Sequence, residues 1–169
     1  MKFKEIKSFT SFGSYNADIP LDYVIETIGR YLTNYNLELN PDFQRGHVWT
    51  DDQRMRYVEF LLKEGQSSRT IYFNCPGWMD DFHGPFVLVD GKQRLDAIMK
   101  FIRNEIPAFG HKISEYTDRM PVGQTLKFNI NNLKTRKEVL QWYLDLNAGG
   151  VVHTSDEINK VKSLLAKEK

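Results

Sequence analysis

The sequence predicts a single α+β domain. Stretches near both ends of the chain have apolar residues at helical spacing, and short stretches rich in β-forming residues lie between them. The chain has 169 residues, of which 41% are hydrophobic. That length allows one domain with a substantial core and leaves little room for a second.

The first predicted helix follows a polar lead-in over residues 1–19. Pro20 is well placed at the start of a helix, since its fixed φ suits the first turn. The apolar residues that follow are spaced to share one helical face: Leu21, Val24, Ile25, Ile28 and Leu32. We therefore expect a helix from about residue 20.

The second predicted helix follows an extended segment in which Pro41 disfavours helix and Gly46 marks a turn. Thr50 and Gln53 have the spacing of a capping box at its start, and Gly65 is a helix-ending residue. Its apolar face is formed by Met55, Val58, Leu61 and Leu62.

Two short strands and a third helix occupy the middle of the chain. Residues 69–74, RTIYFN, are rich in β-formers, and a turn-prone stretch separates them from an apolar strand at residues 86–89. The helix after this strand has apolar residues at helical spacing: Leu95, Ile98 and Ile102.

The C-terminal part begins with a loop-rich segment from Pro107 to about Gly123. Residues 125–130 alternate like a short strand. A helix follows, ending near Asn147 before Gly149 and Gly150, with one apolar face: Val139, Trp142, Tyr143 and Leu146. A last helix is predicted from the capping-box pair Thr154 and Glu157 and from its apolar stripe, Ile158, Val161 and Leu165.

The composition narrows the function classes. The 23 basic and 22 acidic residues give a net charge of +1, so contact with nucleic acid would need a local patch. Cys75 is the only cysteine, and no disulfide within the chain can form. The N-terminus lacks the apolar core of a signal peptide, and no apolar run approaches the roughly 20 residues of a membrane span. We expect a soluble, cytoplasmic protein without a membrane partner.

The turn VDGKQR, residues 89–94, lies between a strand and a helix and carries the clearest chemistry. A helix N-terminus presents backbone N–H groups and the positive end of the helix dipole. Gly91 lets the backbone approach a ligand closely, and Lys92 and Arg94 add positive charge. These features predict an anion site, with phosphate as the favoured anion.

Three polar motifs occur in order along the chain: QRGHVW, DGKQR and LNAGG. Together they resemble the DGQQR-type domain at the N-terminus of GmrSD type IV restriction enzymes, a ParB/sulfiredoxin-like family. The match spans roughly residues 20–162, so residues 20–169 are interpreted as one GmrSD N-terminal-like domain. The resemblance implies a small mixed sheet with flanking helices and helices at the C-terminal end.

The resemblance also implies binding and hydrolysis of a nucleoside triphosphate with Mg²⁺. By position in the motifs, Asp90 and Gln93 are the candidate catalytic residues, and Asp90 is the candidate Mg²⁺ ligand. The implied nucleotide-binding and phosphate-binding residues are Gln44, Arg45, Gly91, Lys92, Arg94 and Asn147. DNA is a further candidate partner, because the restriction enzymes recognise modified DNA.

Two residues depart from the family pattern. Lys92 stands where the family usually has glutamine, and His47 stands where an aromatic residue is common. Lys92 adds charge to a phosphate site but removes a neutral amide that hydrolysis could use. The chain ends at Lys169 without the helical region and HNH-type nuclease domain of the restriction enzymes, so DNA cleavage is expected to need a separate effector or nuclease subunit.

Each candidate residue also has an explanation that needs no ligand. Asp90 could cap the following helix, and Arg94 could pair with Asp90 or Asp96. Gln44 and Arg45 could form the polar end of a strand. Trp49 is expected to pack in the core, and Asn147 could simply end its helix.

Two other functions use the same residues. Pro41-Asp42 with Asp90-Gly91-Lys92 superficially satisfies the pattern of metal-dependent nucleases, although the letters are few and widely spaced. A non-catalytic nucleotide-binding or DNA-binding module is the stronger alternative. Its DNA patch would consist of Lys127, Lys134, Arg136 and Lys137.

Overall fold

In a computed structural model, the chain is described at residues 2, 5–6, 15–44, 46, 48–147 and 155–168. Helices pack on both faces of one sheet. The strands are β1 (Tyr15–Pro20), β2 (Thr70–Asn74), β3 (Val87–Asp90) and β4 (Thr125–Asn131). The helices are α1 (Val24–Tyr35), α2 (Asp51–Leu62), α3 (Lys92–Ile102), α4 (Arg136–Asn147) and α5 (Ser155–Lys167). In these described ranges, no helix combines the length and apolar character that crossing a bilayer requires.

The four strands form a mixed sheet in the order β1-β4-β2-β3. β4 runs parallel to β2, whereas the β1–β4 and β2–β3 pairs are antiparallel. The predicted α+β class with a small mixed sheet is confirmed. Because β3 lies at one end of the sheet order, the turn that follows Asp90 lies at an edge of the sheet.

Alternate residues of β2 and β3 point to two different cores. Ile71, Phe73 and Leu88 belong to a larger core that includes residues of α1, α2 and α3. Val87 and Val89 belong to a smaller core with Phe43 and residues of α4 and α5, and Tyr72 packs against that core. This two-sided burial, typical of a sheet covered on both faces, explains why residues 86–89 read as a continuous apolar run.

The predicted helices are confirmed with small changes at their ends. Thr50 and Gln53 form the predicted capping box at the start of α2, with both reciprocal hydrogen bonds present. A short 3₁₀ helix, Leu21–Tyr23, precedes α1, and a second, Ile113–Glu115, lies in the predicted loop. Thr154, of the second predicted capping box, lies outside the described residues.

The prediction that Leu32 belongs to the buried face of α1 is wrong. Leu32 is 42% exposed, whereas Tyr31 is 8% exposed and contacts the rings of Phe73, Trp78 and Phe86. A helix advances 100° per residue, so Tyr31 lies on the same face as the buried residues Val24 and Ile28, whereas Leu32 lies at the edge of that face. The aromatic side chain buries the larger area, and its packing sets the rotation of the helix.

β1 lies almost entirely within the stretch 1–19, for which the sequence predicted only a polar lead-in. Its residues pair with β4 from Tyr15–Ile130 to Pro20–Thr125. The pattern YNADIP does alternate, since Ala17 and Ile19 pair with Phe128 and Leu126 of the larger core. Asn, Asp and Pro are poor strand formers, so their presence in this stretch made a strand difficult to predict from the sequence.

Candidate functional site

The candidate site is the turn between β3 and α3. Gly91 is the N-cap of α3 and has a φ of 100°, in the left-handed region that glycine adopts most readily. The first intrahelical bond of α3 runs from the Leu95 N–H to the Gly91 carbonyl at 2.9 Å. The leading N–H groups of a helix have no intrahelical acceptor, and a glycine N-cap offers them no side-chain acceptor. The turn therefore has the backbone geometry of an anion site.

Arg94 and Asp90 form an ion pair across this turn. The Arg94 Nη2 group donates to Asp90 Oδ2, and the side chains of Arg94 and Asp90 are 18% and 34% exposed. Asp90 therefore does not cap α3, because its carboxylate faces Arg94 and the N-cap is Gly91. The sequence predicted that Arg94, in the absence of a ligand role, would pair with Asp90 or Asp96, and the pair with Asp90 is observed. Arg94 is nevertheless more buried than a typical surface residue.

The side chain of Gln93 holds the segment that precedes α2. Its Oε1 accepts hydrogen bonds from the backbone N–H groups of Val48 and Trp49, at 3.1 and 3.2 Å, and its Nε2 donates to the Gly46 carbonyl at 2.9 Å. Gln93 is only 7% exposed. Two accepted bonds occupy both lone pairs of Oε1. This geometry favours a positioning role for Gln93 over the predicted catalytic one.

The described residues between Glu38 and Trp49 lie along the outer edge of β3, with a turn in which the Gln44 N–H donates to the Pro41 carbonyl. The Glu38 N–H donates to the Phe86 carbonyl, and the Glu38 carbonyl accepts from the Leu88 N–H. The Gln44 side chain then donates from Nε2 to the Leu88 carbonyl. The segment thus covers a strand edge that would otherwise expose unpaired backbone groups.

Of the two predicted binding residues in this segment, the structure describes Gln44 but not Arg45. Gln44 lies beside β3, with its side-chain amide turned to the Leu88 carbonyl. Arg45 lies outside the described residues, although its neighbours Gln44 and Gly46 are anchored to β3 and α3. His47 also lies outside them.

The pKa values of Lys92 and Tyr57 are shifted by burial and by nearby charges. Burial lowers the pKa of Lys92, and the nearby carboxylate of Asp96 opposes that change. Burial raises the pKa of Tyr57, and the positive charges of Arg94 and Arg69 oppose the rise. Arg94 and Lys92 therefore lie in a partly desolvated environment, where contacts to an anion are stronger than in bulk water.

Trp49 packs on the protein rather than standing free as a platform for a base. Its ring contacts the ring of Tyr57 with centroids 5.4 Å apart, and it is partly buried against the larger core. The expectation that Trp49 belongs to the core is confirmed.

Asn147 lies at the end of α4. Its Nδ2 donates to the Tyr143 carbonyl one turn earlier, at 2.7 Å, so its amide serves the C-terminus of the helix. Tyr143 packs against Phe43, which immediately precedes Gln44. Gly149 and Gly150, the remaining glycines of the LNAGG motif, lie outside the described residues.

The residues of the site fit Mg²⁺ only together with a phosphate ligand. Asp90 can supply one carboxylate oxygen, but among the described residues no three His, Cys, Asp or Glu side chains form a group that could hold a metal. Mg²⁺ commonly takes one or two carboxylates and completes its shell with phosphate oxygens and water. Asp90 fits that arrangement, with its bond to Arg94 as the competing interaction.

The nuclease pattern receives no support from the geometry. Asp42 accepts two hydrogen bonds from Arg136 at 2.7 and 2.8 Å, next to a cleft that Val87 lines. Asp90 lies three residues beyond Val87 on β3, a rise of roughly 10 Å at about 3.3 Å per residue, and its carboxylate is paired with Arg94. Asp42 and Asp90 are therefore each paired with a different arginine.

Two residues of the proposed basic patch, Lys134 and Arg136, are bonded to other groups of the protein. Lys134 Nζ donates to the Pro76 carbonyl, and Arg136 pairs with Asp42 and Glu168. The acidic partners raise the pKa of Arg136. Lys127 and Lys137 are exposed. This division leaves a weaker patch than the sequence predicted.

Comparison with known proteins identifies the family. The family described as "GmrSD restriction endonuclease, N-terminal domain" matches residues 28–139, which is well over half of the chain and includes the β3–α3 turn. The chain belongs to this family. No curated protein sequence matches it.

One solved structure is similar over much of the chain. It is the C-terminally truncated chromosome-partitioning protein ParB from Caulobacter crescentus, complexed with CTP-gamma-S, with 14% sequence identity and a TM-score of 0.44. The similarity covers 91% of this chain and 64% of the ParB chain.

Replacing Gly91 with alanine should destabilise the domain. An added Cβ would lie 2.7 Å from Ile71 Cδ1 and 3.2 Å from Arg94 Nη2, and alanine disfavours a φ of 100°. We expect Gly91→Ala to lower the free energy of unfolding by more than about 1 kcal/mol. Urea denaturation measures the change.

Gly29→Ala is the matched control. Gly29 lies inside α1, and no atom lies within 4 Å of an added Cβ. Alanine should stabilise this position by about 0.5–1 kcal/mol, because glycine is a poor helix former. Equal effects at the two positions would contradict the special role of the turn.

Proposed function

We propose that this domain binds a nucleoside triphosphate, that the turn Asp90–Arg94 holds the phosphates, and that it does so as part of a restriction system. The observation that carries the proposal is the combination of a left-handed Gly91 N-cap with two partly buried cations, Lys92 and Arg94. Backbone N–H groups at a helix start and flanking cations are the usual elements of a phosphate site. Family membership supports the link to restriction.

Each residue has a definite part in the proposed complex. The N–H groups at the start of α3 bind phosphate oxygens, and the Arg94 guanidinium offers its planar pair of donors. Lys92 contributes a point charge. Gln44 and Arg45 are proposed to complete the site from the segment along β3, and Asn147 stays a proposed contact from α4.

Binding requires Arg94 to change partners. Its guanidinium is paired with Asp90, so a phosphate group must compete with that carboxylate. A triphosphate carries more charge than one carboxylate, which favours the exchange. Mg²⁺ would assist, because a cation bound to Asp90 draws the carboxylate away from Arg94.

Hydrolysis is the second part of the proposal. Mg²⁺, when bound with the nucleotide, neutralises charge that develops on the phosphates. Asp90 would hold that ion or orient the attacking water. Gln93 would act indirectly, by fixing residues 46–49 beside the phosphates. The proposed contacts are to the phosphates, which all four ribonucleotides share, so each of the four is tested.

A non-catalytic nucleotide-binding or DNA-binding module is the second candidate. The amide of Gln93 is occupied by backbone bonds, and Lys92 replaces the amide usual at the neighbouring position. No neutral amide is thereby left in the motif to orient water. In either case a DNA-cleaving subunit would act as a separate partner.

Arg94→Ala should abolish most nucleotide binding while leaving the fold intact. A hydrogen bond to a charged group contributes about 1.5–3 kcal/mol, which corresponds to roughly 10- to 150-fold in affinity. The lost pair with Asp90 should cost about 1.5–3 kcal/mol of stability, and the fold should survive because the Asp90 side chain, 34% exposed, can be hydrated. Calorimetric titration with each Mg²⁺-ribonucleotide measures the affinity.

Arg56→Ala is the control for Arg94→Ala. Arg56 also pairs with an aspartate four residues away, Asp52, at 2.8 Å, but it is 77% exposed and lies on α2. Its removal should leave affinity unchanged. Nucleotide binding by Arg94→Ala at wild-type strength would refute the assignment of Arg94, and a wild-type protein that binds none of the four up to millimolar concentration would refute the proposed function.

Asp90→Asn separates an enzyme from a binding module. In an enzyme the change should stop phosphate release while nucleotide affinity is kept or increased, because Arg94 loses its competing carboxylate. A pure binder shows no release with either residue. Lys92→Gln restores the residue usual in the family and should raise the rate of release if Lys92 has reduced an ancestral activity.

Phosphate release is measured for wild type and both variants, with and without DNA. Equal rates for wild type and Asp90→Asn would remove Asp90 from the chemistry. Release that depends on DNA would instead point to a role for DNA in switching the domain.

A further inference from the structure

Arg54 is a buried arginine in α2 that lies outside the three family-like motifs. It is 8% exposed. Its Nε donates to Asp96 Oδ2 at 2.7 Å, and its Nη1 donates both to Asp51 Oδ1 at 3.0 Å and to the backbone carbonyl of Trp49. A buried guanidinium is costly unless its donors are satisfied, and here three acceptors converge on it.

The partners of Arg54 join three parts of the site. Asp96 lies on α3, one turn after Gln93, so both side chains emerge on the same side of that helix. Trp49 is the last residue but one before α2. Arg54 therefore ties the end of the segment that contains Gln44 and Arg45 to the helix that begins at the phosphate turn.

Gln93 and Arg54 hold this segment from two directions. Gln93 binds the Val48 and Trp49 N–H groups and the Gly46 carbonyl, while Arg54 binds the Trp49 carbonyl. The peptide groups on both sides of Trp49 are thus fixed by side chains that belong to, or are bonded to, α3. A segment held at successive peptide groups has little freedom to move away from the turn.

We infer that Arg54 is a positioning residue for the nucleotide site. Through Asp96 and the Trp49 carbonyl it keeps Gly46, Val48 and Trp49 against the start of α3, and in this way it sets nucleotide affinity without touching the nucleotide. The inference rests on the proposed function for its effect on affinity. Its structural part, the coupling of Arg54 to the segment, can be tested without any nucleotide.

The competing explanation is that Arg54 only joins α2 to α3. In that case its loss would lower global stability, and every amide in the domain would exchange faster in proportion. A positioning role makes a local prediction instead. The Val48 and Trp49 amides, bonded to Gln93, should lose protection first, while amides in α4 keep theirs.

Hydrogen exchange on the nucleotide-free full chain tests the coupling. In Arg54→Ala, exchange at Val48 and Trp49 should accelerate by at least about tenfold relative to Val139 and Leu140 in α4, which corresponds to ~1.4 kcal/mol of local opening. Arg56→Ala is the matched control on the same helix and should leave all four amides unchanged. Uniform acceleration across the domain, or none at Val48 and Trp49, would overturn the inference.

Affinity for Mg²⁺-ribonucleotides is then measured on the same proteins. Arg54→Ala should bind at least about tenfold more weakly than wild type. Leu61→Ala, which truncates a fully buried core residue at the opposite end of α2 from the segment, provides a destabilised comparison and should keep its affinity. Equal losses in Arg54→Ala and Leu61→Ala would show that Arg54 acts only through stability.

Arg54→Lys keeps the inference testable if Arg54→Ala does not fold. Lysine keeps the positive charge beside Asp96 but lacks the planar fork that spans Asp96 and the Trp49 carbonyl. Local exchange at Val48 and Trp49 should still accelerate, and wild-type exchange in the folded variant would overturn the inference.

The two measurements fail separately. A wild-type protein that binds no nucleotide, with local exchange still dependent on Arg54, would overturn the proposed function and the affinity effect together. Nucleotide binding that is unaffected by Arg54→Ala would overturn this inference alone.

Discussion

The side-chain amide of Gln93 is bonded on one side to two backbone N–H groups and on the other to a backbone carbonyl, all within residues 46–49. These bonds fasten an irregular segment to the helix that begins at the turn. If the amide were removed, three backbone groups would lose their partner, at about 0.5–1.5 kcal/mol for each lost hydrogen bond. The position of Gly46, Val48 and Trp49 beside the turn therefore depends on the Gln93 side chain. Gln44 adds a contact to β3, and Arg54 adds one to the Trp49 carbonyl.

The turn itself combines a backbone that favours anions with an internal anion, Asp90, already paired with Arg94. This pairing satisfies both charges in the structure, and in the proposed complex a triphosphate and its cation would compete with it. The partial burial that lowers the pKa of Lys92 also weakens the screening of its charge by water. We propose that the site is thereby selective for highly charged ligands, since a weak anion would not displace Asp90.

Much of the fold could be predicted from local pattern. Helices α1 to α4 follow apolar spacing, and the Thr50–Gln53 capping box marks the start of α2. β1 depends on its pairing with β4, and the burial of Tyr31 depends on rings from distant parts of the chain. Neither can be inferred from the residues next to them in the sequence. The turn at Gly91 was visible as a motif. The roles of Gln93 and Arg54 were not, because the contacts that join the segment to α3, from Gln93 to residues 46, 48 and 49 and from Arg54 to Asp96, span 42 to 47 residues of the chain.

The most direct test maps the ligand onto the molecule. Backbone amide shifts of the ¹⁵N-labelled protein, followed during titration with a Mg²⁺-ribonucleotide, locate the bound phosphates. The account predicts that the largest shifts occur at Gly91, Lys92, Gln93 and Arg94, with smaller ones at Val48 and Trp49. Shifts confined to the cleft lined by Val87, Arg136 and Val139, or no shifts at the start of α3 under saturating nucleotide, would contradict it.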